Sequence, residues 1–75
     1  MITVFKETAP TLEEAQEIVG GLVEMVHVPN KPDLQVLVNE SGLLEGLEFN
    51  SEASKLCGQV LVGPAILLEG DAVWT

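Results

Sequence analysis

LVNESGLLEGLEFN, residues 37–50, is the stretch on which the reading of the fold turns. It carries two glycines, three carboxylates and two asparagines among its leucines. As a catalytic or ligand-binding loop it would make the rest of the chain a support. As a turn with an apolar exit it joins two extended segments, and this second reading accounts for more of its residues. Asn39-Glu40-Ser41-Gly42 closes a strand, with Gly42 expected at positive φ, a conformation that costs a residue without Cβ little. Residues 43–47 are expected to resume as an extended segment, with Gly46 at a second bend or bulge. Glu40, Glu45 and Glu48 alternate with leucines and are expected to face solvent.

Toward the C-terminus, Asn50 or Ser51 can cap a short helix over residues 51–57, which Gly58 ends. Residues 59–70, QVLVGPAILLEG, form the most apolar run and read as a final strand or strand pair. Gly63-Pro64 within it requires a bulge, a kink or an edge, because proline cannot donate to a ladder. The tail, DAVWT, holds the single tryptophan, Trp74. An apolar end of this kind either packs on its own domain or docks on a neighbour.

Toward the N-terminus, residues 34–39 read as a strand with Leu34, Val36 and Val38 on one face by the two-residue period. Residues 29–33, PNKPD, preset a turn, and residues 22–28 read as the strand before it, so the two form a hairpin. A helix precedes them. Thr11 and Glu14 have capping-box spacing, Glu13 and Glu14 sit at the positive end of the helix dipole, and Leu12, Ala15, Ile18 and Val19 share one face. Gly20 suits a left-handed helix end, and Gly21 lets the chain reverse. MITVF reads as a first strand. The expectation is one α+β domain spanning residues 1–75, with a small mixed or antiparallel sheet. The expected order is β-α-β-β-β-α-β, with one main and one short helix packed on the sheet.

Twelve acids stand against three lysines, with no arginine and a net charge of −9. Such a surface repels phosphates rather than neutralising them, which excludes direct nucleic-acid binding; the bidentate reader of phosphates and bases is also missing. The charge serves solubility or attracts a basic partner. No apolar run approaches the ~20 residues of a membrane span. The single cysteine, Cys57, forms no internal disulfide. Together with the lack of a recognisable leader, this points to a reducing cytoplasm.

Candidates for chemistry are few. His27 stands alone, with no sequence neighbour that would serve as nucleophile or orienting carboxylate. Cys57 falls at a helix C-terminus, where a thiolate is disfavoured, and reads as a small buried hydrophobe. One histidine and one cysteine cannot close a zinc site, and no EF-hand spacing is present. No catalytic residue, metal ligand or cofactor site is therefore assigned. Glu13, Glu14 and Glu17 cluster on the first helix, where the like-charge pair Glu13–Glu17 costs roughly 0.2–0.5 kcal/mol. A basic partner would relieve that cost. With Trp74, these acids form the candidate protein interface. Gly20, Gly21, Gly42, Gly46, Gly63 and Pro64 are assigned to turns.

Three spaced segments, LEEAQEIVGGLVEMV, LQVLVNESGLLEGLEFNSEA and GQVLVGPAILL, resemble small phage and mobile-element proteins grouped as domain of unknown function 3846. The resemblance covers residues 12–68. It rests on Val19-Gly20-Gly21, the NESG turn with Gly46-Leu47, Asn50, and Val62-Gly63-Pro64-Ala65. This chain departs in being short at both ends. The resemblance implies a phage or mobile-element origin, the cytoplasm of a bacterial host, and an accessory role; it carries no catalytic residues. The resulting expectation is a non-enzymatic accessory protein that binds a host or phage protein. The alternative is a homo-oligomer that sequesters a small ligand; the net charge and missing arginine oppose a phosphate ligand. Homodimerisation would cover an edge strand and the tail under either reading.

Overall fold

Near-continuous apolar runs along the central strands, LQVLVN and AILLE, call for a sheet buried on both sides. The computed structural model describes residues 1–74 and shows how that demand is met. The chain runs through β1 (Ile2–Phe5), α1 (Leu12–Val19), β2 (Val23–His27), β3 (Leu34–Asn39), α2 (Ser51–Cys57) and β4 (Ala65–Glu69), then a 3-10 turn at Gly70–Ala72. The four strands form one mixed sheet in the order β1-β4-β3-β2. β2 and β3 are the expected antiparallel hairpin, β3 and β4 are antiparallel, and β1 pairs β4 in parallel. β1 and β2 thus occupy opposite edges and point the same way. Parallel strands need a crossover, and α1 supplies it.

The two helices cover opposite faces. On one, Val36 and Val38 of β3 join Val26, Val28 and Ala65 in a core with Ala53 and Cys57 of α2. On the other, Leu37, Ile66 and Leu68 pack against Ala15 and Val19 of α1. Successive residues of β3 and β4 therefore feed alternate cores, as the pleat requires. Leu37, Ile66 and Leu68 are fully buried, each worth about 1.5–3 kcal/mol relative to exposure. The fold is a small α+β domain with a four-stranded mixed sheet and two helices.

The helix ends match the sequence expectation in detail. Thr11 and Glu14 form the reciprocal capping box, and Gly20 ends α1 in the left-handed region at φ 81°. Asn50 caps α2, and Gly58 ends it.

Three expectations need correction. Residues 43–47 form no strand. They fold into consecutive tight turns, and the extended segment expected there shrinks to a single bridge between Phe49 and Val62. Gly42 is not at positive φ; it is glycine because a Cβ would stand 2.8 Å from Val62 Cγ2. Leu12 lies off the buried face of α1 and is exposed. Gly63 does adopt positive φ, at 80°, and Pro64 falls just ahead of β4, where its missing N–H breaks no ladder.

Candidate functional site

The interface expected from sequence is brought together in part. Glu13, Glu14 and Glu17 are all exposed on α1. Glu14 is partly committed: its Oε1 accepts from the Thr11 amide at 2.8 Å, while its own amide donates to Thr11 Oγ1. Glu13 and Glu17 are left as the free acids of that face. Trp74 packs on its own domain. Its Nε1–H donates to the Pro10 carbonyl at 3.1 Å, and its backbone exchanges two hydrogen bonds with the Gln35 side chain, at 2.6 and 2.8 Å. These ties place the tryptophan beside the first turn of α1, over a shallow depression lined by Ala9, Pro10, Leu12 and Val73. The last residue of the tail, Thr75, lies outside the described residues.

A second surface escaped the sequence reading. The turns at residues 40–46, the β2–β3 hairpin and residues 59–62 enclose an open cleft of about 410 Å³. Its floor is apolar, with Val26, Val38 and Leu61, and Glu24 and Glu40 stand among its lining. Leu43 and Leu44 on one side are 75% and 92% exposed, and Val60 on the other is 68% exposed. The turn that carries the leucines is well fixed. Backbone bonds run from Glu45 N–H to Ser41 O and from Leu47 N–H to Gly42 O, each 3.0 Å. The buried Asn39 side chain accepts from the Ser41 amide at 2.7 Å and donates to Val19 O and to Glu45 Oε1. Expecting a strand hid this surface, because an extended segment would put the neighbours Leu43 and Leu44 on opposite faces, and the turns leave both exposed. The signal available in sequence was the Gly42–Gly46 bracket, too short to hold an extended segment between two glycine corners.

His27 and Cys57 lie on opposite faces of the sheet. His27 is exposed on edge strand β2, on the face that α1 covers. Cys57 is 3% exposed in the α2-side core, where burial pushes its thiol pKa up. No cluster of three or more His, Cys, Asp or Glu side chains able to hold a metal ion occurs among the described residues. No helix among them is long and apolar enough to cross a membrane.

The class so defined is a small, strongly acidic α+β domain whose exposed features are apolar and anionic surfaces. The chain belongs to the family described as Domain of unknown function (DUF3846), whose model matches residues 2–73. No curated protein and no solved structure matches the chain.

Proposed function

We propose that this chain is a non-enzymatic accessory protein that acts by binding a basic protein of a bacterial host or of the phage or mobile element that encodes it. The carrying observation is the state of its charge. Of the twelve carboxylate side chains, none is buried. Among the described residues a single ion pair forms, between the N-terminal amine and Glu52 at 3.5 Å. Apart from Glu14 in the α1 cap, Glu45 against Asn39 and Glu52 at the N-terminal amine, the acids are not consumed in holding the fold together, and their mutual repulsion is relieved by a cationic partner. The sequestering alternative has less support: the lining of the cleft beside Leu43 and Leu44 includes no lysine or histidine to meet an anionic ligand.

The test is capture from host lysate at low and high ionic strength, followed by rebinding with the purified captured protein. A basic protein that binds directly, and is released as salt screens exposed charges over about a Debye length, supports the reading. Recovery of nothing salt-sensitive overturns it.

A further inference from the structure

The cleft beside Leu43 and Leu44 shares Gln59 and Val60 with a second, open concavity of about 320 Å³, lined also by Phe49, Ser51, Ser54 and Lys55. The two adjoining depressions make an open surface groove. Its exposed apolar side chains are Leu43, Leu44, Val60 and Phe49, the last 59% exposed. Its charges are segregated: Glu24 and Glu40 line one end and Lys55 the other.

We propose that this groove is the docking site for an extended, amphipathic segment of a partner protein. Resting on the binding reading above, the inference names the surface and the chemistry of the segment. Lysine or arginine side chains meet Glu24 and Glu40, apolar side chains lie over Leu44, Val60 and Phe49, and an acidic or neutral residue faces Lys55. Three observations carry this. The leucine pair is held outward by a hydrogen-bonded turn, so its exposure is built in and little ordering is needed on binding. Two adjoining open depressions rimmed by exposed apolar side chains fit a polypeptide better than a compact ligand. The acidic end selects a cation, which argues against a second copy of a chain with net charge −9. The groove is separate from the α1 and Trp74 surface that the sequence pointed to.

The probe is a short synthetic peptide of alternating leucine and lysine, followed by amide-resolved NMR. Expected are salt-sensitive shifts at residues 40–44 and 59–62, and about tenfold weaker binding for Leu44→Ser and for Val60→Ser, equivalent to losing about 1.4 kcal/mol of apolar contact. Both side chains are mostly solvent-exposed, so these variants keep the fold. Peptide shifts confined to α1 and Trp74 overturn the groove but leave the binding reading standing. So does undiminished binding of a captured basic protein by Leu44→Ser. Self-association that Leu44→Ser abolishes overturns the proposal in favour of a second copy. No peptide binding and no captured basic partner overturn both readings.

Discussion

Asn50 is 2% exposed, and its replacement by alanine is the sharpest test of how the two ends of the chain are joined. Its Oδ1 accepts from the Ala53 amide at 3.1 Å and caps α2. Its Nδ2 donates to Met1 O at 3.1 Å and to Gly63 O at 2.9 Å. One side chain therefore ties the start of α2 to the residue before β1 and to the residue before Pro64. Losing the cap costs about 1 kcal/mol. The Gly63 carbonyl left without its donor adds about 1 kcal/mol, whereas Met1 O keeps the Ala65 amide at 2.9 Å and adds little. The sum is about 2 kcal/mol. For 75 residues the total stability expected at ~0.05–0.15 kcal/mol per residue is about 4–11 kcal/mol, so Asn50→Ala removes a large part of it. Asn50→Ser keeps an acceptor for the cap and should recover only about 1 kcal/mol. Urea unfolding followed by Trp74 fluorescence measures both, since Trp74 packs on the opposite core. The m-value should not change. A loss below about 1 kcal/mol for alanine, or a serine variant as stable as the native chain, would refute the accounting.

Two glycines at positive φ should behave unequally. Gly46→Ala, at φ 70° with open space around the new Cβ, should cost about 1 kcal/mol for backbone alone. Gly63→Ala places a Cβ 2.7 Å from Leu47 Cδ1 and should cost about 2 kcal/mol more through displaced packing; equal losses in thermal melts would show that Leu47 moves aside freely. Cys57 gives the pH dependence. Desolvation by burial raises its thiol above the ordinary cysteine value, so the folded form holds the proton more tightly than the unfolded form. Stability from this group is fully present below the unfolded value and declines as pH rises through the folded one. The chain has no tyrosine to confuse the alkaline range. The urea midpoint should fall above pH 9 in the native chain and fall less in Cys57→Ala, with thiol labelling near neutral pH slow and limited by opening; fast labelling of the folded protein refutes the burial.

Most of the architecture was legible because local signals agreed with one another. The Thr11–Glu14 box and Gly20 fixed α1, and Asn50 with Gly58 fixed α2. Residues 34–39 of β3 were bounded by proline-rich and asparagine–glycine turns. The failures at Gly42 and at residues 43–47 share one cause. At residues 43–47 alternation of leucine with acid imitated a strand, but Val62 and Leu47 pack where side chains at Gly42 and Gly63 would stand, and that close approach holds the segment in turns. Such approaches are tertiary and leave only a glycine in the sequence. The same blindness hid the groove, since joint exposure of Leu43 and Leu44 depends on the turn. Trp74 was ambiguous for a related reason: its partners, Gln35 and Pro10, are distant in the chain.

The parallel pairing of β1 with β4 has a consequence for how the protein is made. Ile2 finds its neighbour only at Ala65, so β1 stays without a ladder until β4 has been made. Long-range closure of this kind slows folding. It also makes quality control strict: a chain terminated before β4 lacks one of the two strands that both cores share, and should be presented to proteases as an unfolded polypeptide instead of persisting as a half-built domain.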